Sequence, residues 1–106
     1  MKNKVSLAII SIMIASTAST AFAQSGADTY KAKCQMCHAA DGSGDTPAGK
    51  STKVHPFTAP DVVKMSDDDL VGITKKGKNK MPAYAGKLTD AQITDVVAYI
   101  RTLQKK

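Results

Sequence analysis

The chain has no tryptophan, two phenylalanines and three tyrosines among 106 residues. A chain of this length is one domain at most, and so few aromatics leave its core short of bulky side chains. Cysteine is also scarce, with only Cys34 and Cys37, three positions apart. A disulfide between them would close a loop too small to restrain the unfolded chain. Small domains usually add a crosslink, a metal or a cofactor, so something other than side chains has to fill the middle. Neither an internal repeat nor a phosphate-cradling glycine motif is present. Basic residues outnumber acidic ones, 15 to 9, for a net charge of +6. No aromatics are interleaved with the lysines, which argues against a nucleic-acid surface.

A long apolar run occurs once, at the start. Lys2 and Lys4 precede Val5 to Ala15, which is apolar except for Ser6 and Ser11, and a small-residue stretch ends in Ala21-Phe22-Ala23. That is the order of a secretory signal peptide. Ser16, Thr17, Ser19 and Thr20 interrupt the run, short of the roughly 20 apolar residues a spanning helix needs. The expected organisation is a cleaved signal peptide over 1–23 and one domain over 24–106, delivered to the periplasm without stable membrane insertion. Loss of Lys2 and Lys4 lowers the net charge from +6 to +4.

Within the domain, three helices are expected. The first covers about 27–38, where Tyr30, Cys34 and Cys37 recur at helical spacing on one face. The second opens at Ser66, an N-cap followed by Asp67, Asp68 and Asp69, and stops at Gly77. Its acidic first turn is a solvated, dipole-compensated helix start. The third starts at Thr89 and Gln92, a capping box, and carries Ile93, Val96, Val97, Ile100 and Leu103 as one apolar stripe. A short turn begins at Pro60, and residues 41–60, rich in Gly, Ser, Thr, Pro and Lys, are expected as an ordered loop. No alternation is long enough for a strand. The expected fold class is all-α.

Cys34-Gln35-Met36-Cys37-His38 reads C-x-x-C-H, the attachment signature for c-type haem. Residues three apart share a helix face, so both thiols can reach one edge of a porphyrin, and the next residue places an imidazole beneath the iron. A thioredoxin-like pair would need a βαβ setting. Zinc held by Cys34, Cys37, His38 and His55 is a poorer match, because adjacent residues diverge on a helix and rarely close on one small ion. Haem would also supply the missing core, making its binding energy part of the folding energy.

A sixth ligand decides what the iron does. Met36, inside the attachment motif, cannot swing around the ring. His55 precedes Pro56 in a loop, and Met65 stands just before the Ser66 cap, where methionine is usually core filler. Met81 lies in the irregular Gly77-Lys78-Asn79-Lys80-Met81-Pro82 segment between two helices, the kind of place where ligands are carried. Placement favours Met81, with His55 and Met65 as the alternatives.

From Gly26 to Leu103 the chain resembles a class I cytochrome c of the small bacterial type. Gly26 and Tyr30 stand four residues apart ahead of the C-x-x-C-H motif, Met81-Pro82 follows, and Tyr99 lies in the last helix. The resemblance implies a cytochrome c fold of three to five helices around one covalently bound haem c. It implies His38 and Met81 as axial iron ligands, and a helix crossing at Gly26 flanked by Tyr30 and Tyr99. The family also places a proline after the motif, whose neighbouring carbonyl accepts a hydrogen bond from the histidine ring, and Pro47 is the nearest match. Such a bond would orient His38 and tune its donor strength.

The activity this implies is one-electron carriage by a monomer, not turnover of a substrate. Lys75, Lys76, Lys78, Lys80 and Lys87 surround the proposed ligand in sequence. They are either a solvated lysine-rich surface or a positive ring that steers redox partners with acidic docking surfaces. Other classes of function remain open at this stage. A gas-binding sensor would have a displaceable sixth ligand, a peroxidase-like enzyme would pair an open iron with His55, and a subunit of a larger dehydrogenase or oxidase would pass electrons within a complex.

Overall fold

In the computed structural model, which describes residues 18–105, helix α1 spans Ala18–Lys33 and is followed after one residue by the single-turn α2, Gln35–His38. Most of the expected signal segment lies outside the described residues, and its last part forms the start of α1. The helix therefore extends on the N-terminal side of the expected position near 27, running through Ser25 without being capped there. It also breaks at Cys34, where one continuous helix to His38 was expected. The amides of Cys37 and His38 both bond to the Cys34 carbonyl, at 3.2 and 3.0 Å, so the ladder slips by one residue.

The 41–60 stretch is more regular than expected. Helix α3 covers Pro47–Thr52, capped by Thr46, whose hydroxyl accepts a bond from Gly49 N. Proline suits a first helical position because its missing N–H would be unpaired there anyway. Helix α4, Pro60–Val63, is the short turn expected at Pro60. Helix α5, Asp67–Lys76, is closed by a capping box between Ser66 and Asp69, and α6, Asp90–Leu103, by one between Thr89 and Gln92. Among the described residues there are six helical segments, α2 arising from the break at Cys34 and α3 from the stretch expected as loop. Among the described residues there is no sheet, only isolated bridges at Lys78–Met81 and Ala85–Leu88. The all-α expectation holds.

The stripe on α6 is the centre of the core: Ile93, Val96, Val97, Ile100 and Leu103 are all buried. Helix α1 crosses α6 at Gly26, where a Cβ would collide with the Asp95 carbonyl and lie 3.1 Å from Tyr99 Cβ. Beside the crossing, the rings of Tyr30 and Tyr99 pack 5.2 Å apart at 54°. Tyr30 is 1% exposed and also faces Phe57. This crossing fixes α1, and with it the wall that carries the cysteines.

Candidate haem site

A cavity of about 290 Å³ opens between that wall, α5, α6 and the segment after α5. Cys34, Cys37 and His38 lie on one side, and Met81 lines the same cavity from the 78–82 segment. Met65 and His55 line it too, whereas Met36 is 78% exposed and does not. Apolar side chains including Phe57, Leu70, Ile73, Val96 and Ile100 complete it. Pro47, exposed at the start of α3, does not reach the cavity.

The loop behind the cysteines is held by α3. The Thr46 hydroxyl donates to the carbonyls of Met36 and Cys37, at 2.7 and 3.2 Å. Gly49 packs so closely that a Cβ would strike the Cys37 and Gly44 carbonyls, so only glycine fits between them. The Gly44 amide in turn bonds to the His38 carbonyl at 2.9 Å. Just past His38, Ala39 adopts a φ of 67°, a conformation that costs a non-glycine residue energy. The Tyr30 hydroxyl pins it by donating to the Ala39 carbonyl at 2.5 Å. Phe57 stacks on the His38 ring, 4.7 Å between centroids at 19°, and Gln104 Nε2 holds the Phe57 carbonyl at 3.0 Å.

Burial pushes the Cys34 thiol up to about 11, with the neighbouring Cys37 adding to the rise. Redox pairs need the opposite, a depressed thiol that ionises near neutrality. Cys34 and Cys37 are also unbridged. Burial lowers the His38 pKa below the ordinary imidazole value, which keeps the ring neutral and able to donate a lone pair. Its Nδ1 is buried without a hydrogen-bond partner, so the bond expected from the neighbourhood of Pro47 is not made here. Among the described residues no three His, Cys, Asp or Glu side chains converge on one point that could hold a metal ion. The donors fit haem instead: two free thiols, an imidazole kept neutral by burial and a thioether line one largely apolar cavity.

Of the lysines singled out in the sequence, Lys78 and Lys80 are exposed on the cavity rim, joined there by Lys33 and Lys53. Lys75 instead pairs with Asp90 at 3.3 Å, and Lys87 lies over the Tyr84 ring, 5.9 Å from its centroid. The roles of Thr46, Gly49, Phe57 and Tyr84 were not foreseen from the sequence. Thr46-Pro47, a cap followed by a helix-starting proline, was the local signal for α3. The other contacts are long-range and leave no periodic trace.

The family profile described as cytochrome c oxidase, cbb3-type, subunit III matches residues 21–100. The chain is 37% identical over 75 residues to cytochrome c6 of Synechococcus elongatus, covering 71% of this chain and 83% of that protein. Identity is also 37% over 75 residues to cytochrome c6 of Thermosynechococcus vestitus, covering 71% of this chain and 64% of the relative. Cytochrome c-555 of Chlorobaculum thiosulfatiphilum is 38% identical over 80 residues, 74% of this chain and 92% of that one. With cytochromes matching most of its length, the chain belongs to the class I cytochrome c family of small monohaem proteins, which bind haem c covalently.

Proposed function

We propose that this chain is a soluble periplasmic one-electron carrier, with Cys34 and Cys37 joined to haem c through thioethers and His38 and Met81 as the axial iron ligands. One observation carries the reading: both thiols, the imidazole and Met81 line a single, largely apolar cavity. Haem bound there supplies one-electron exchange at its iron. The chain's own part is to hold, shield and orient. Burial keeps His38 neutral, and Met81 offers a neutral thioether that raises the reduction potential. With both axial positions taken by side chains, neither oxygen nor substrate has an open site.

Met81 is favoured over the two other donors on the cavity wall. His55 Nδ1 faces Asp61 Oδ2 at 3.3 Å, which engages that ring nitrogen in a contact with a carboxylate. The Met65 carbonyl is held by the Arg101 guanidinium, which fixes that residue's backbone to α6. Lys33, Lys53, Lys78 and Lys80 on the rim would face partners with acidic docking surfaces. The lysine-flanked apolar start of the sequence supports export with cleavage after Ala23, and no helix among the described residues is long and apolar enough to cross a membrane. The mature protein is read as a monomer.

Absorption spectra of the purified protein in both oxidation states test this. Sharp c-type bands on reduction and a weak sulfur-to-iron charge-transfer band on oxidation are expected, the latter absent in Met81→Ala. Carbon monoxide binding to the native reduced protein at neutral pH would overturn the closed site in favour of a gas-binding sensor. The subunit-III description of the matching profile favours a second reading, an electron-transfer subunit of a larger complex. Co-purification with membrane partners, rather than elution as a free small protein, would select it.

A further inference from the structure

The segment that carries Met81 is tied by its backbone to one side of the cavity and by a side-chain hydrogen bond to the other. It leaves α5 at Gly77, whose φ is 77° and where a Cβ would lie 2.6 Å from the Met81 carbonyl. Lys78 and Met81 exchange backbone bonds of 3.2 and 2.9 Å, folding the segment on itself. Further on, the Tyr84 and Ala85 amides donate to the Thr74 and Lys75 carbonyls, at 3.0 and 3.1 Å, which anchors the segment to α5. The opposite wall belongs to α1 and α2. There the slipped ladder at Cys34 leaves the Lys33 carbonyl without the amide it would meet in a continuous helix, because Cys37 N bonds to Cys34 O instead. The Tyr84 hydroxyl takes that carbonyl, donating to Lys33 O at 2.9 Å across 51 positions of sequence.

We infer that Tyr84 is a positioning residue: its hydroxyl straps the Met81 segment to the cysteine-bearing wall, across the mouth of the haem cavity, and so restrains Met81 from leaving the iron. The inference rests on Met81 being the axial ligand, as proposed above. Both Tyr84 and Lys33 line the cavity, so the bond joins two of its walls. Lys87 Nζ over the Tyr84 ring keeps the ring in place by a cation–π contact that does not depend on the hydroxyl. The helix break and the strap are then one feature, since a continuous α1–α2 ladder would consume the carbonyl that Tyr84 needs.

The test is the rate at which imidazole replaces the native sixth ligand in oxidised holoprotein, followed by loss of the sulfur-to-iron band. Tyr84→Phe keeps the ring and removes the hydroxyl. It should bind imidazole about three- to tenfold faster, the worth of one net hydrogen bond, while its unliganded spectrum stays like that of the parent. Val97→Ala supplies the comparison, because Val97 is buried in α6 but does not line the cavity. That variant loosens the fold generally and should leave the rate within twofold. Equal rates for parent and Tyr84→Phe, or equal acceleration in both variants, would overturn the strap. A parent protein without the sulfur-to-iron band would instead overturn Met81 ligation, so the two failures are told apart.

Discussion

Gly26 sits directly against the backbone of Asp95, close enough that any side chain at position 26 would occupy the space of the Asp95 carbonyl. Through that contact α1 is seated on α6, and the α1 wall of the haem cavity is seated with it. Gly26→Ala therefore pits two effects against each other. Alanine improves helix propensity by about 1 kcal/mol, but the added methyl meets backbone, which cannot rotate away, and overpacking of this kind costs about 1–3 kcal/mol. The clash should win. The guanidinium midpoint of the holoprotein is expected to fall, and an unchanged or raised midpoint would mean that the helices separate there at no cost.

Tyr30 links stability to alkaline pH. Burial first, then the nearby Tyr99 and Asp41, hold its hydroxyl well above the usual tyrosine value. A group whose pKa is higher folded than unfolded gives its full stabilisation below the unfolded pKa, near 10, and loses it as pH climbs above that point. Unfolding midpoints should therefore decline from about pH 10 upward, and Tyr30→Phe should decline less over that range. The two proteins share every other titratable group, so the difference in slope isolates Tyr30. At neutral pH the same variant loses the hydroxyl bond to the Ala39 carbonyl, which keeps its bond from the Gly42 amide at 3.2 Å, and should be less stable by about 0.5–1.5 kcal/mol. Parallel pH curves for the two proteins would remove Tyr30 from the account.

The features that could be read in advance were those written locally. Ser66 with its acidic turn and Thr89 with Gln92 announce their own helices, because a cap and its partner lie within one turn. The Ile93–Leu103 stripe declares a buried face through its period alone, and all five positions are buried. The C-x-x-C-H run carries its chemistry in five consecutive residues. Helix α3 was hidden by a composition that looks like loop, although Thr46-Pro47 marked its start. The break at Cys34 had no local mark, since it accompanies a tyrosine hydroxyl arriving from residue 84. The Phe57 stack on His38 and the Thr46 bonds to the motif carbonyls are likewise contacts between distant segments. Periodicity cannot encode these.

A cofactor that supplies the centre of the core should also govern whether the chain folds. The aromatic stock is small, and the cavity is walled by residues such as Leu70, Val96 and Ile100 that otherwise form the interior. Replacing both Cys34 and Cys37 with serine is expected to abolish covalent attachment. The exported product should then have the mass of its amino acids alone, with most of its helical circular dichroism lost. Ser substitution at only one cysteine should leave a single thioether and an intermediate stability. A double variant as helical and as stable as the parent would show that side chains suffice to fill the middle.

Lys78 and Lys80 stand exposed on the cavity rim, with Lys33 and Lys53 nearby. Lys75, by contrast, is paired with Asp90, at 3.3 Å. If the rim lysines steer acidic partners, the second-order rate of electron transfer to a negatively charged acceptor should fall steeply as ionic strength rises, because screening shortens their reach to about 8 Å at physiological salt. Lys78→Glu with Lys80→Glu should slow the low-salt reaction by about tenfold or more and flatten its salt response. Lys75→Gln should do much less, since Asp90 already offsets that charge. The reduction potential, measured alongside, separates slower encounter from altered driving force. A salt response that is flat in the parent protein, or equal in all three proteins, would reduce the lysines to a solubilising surface.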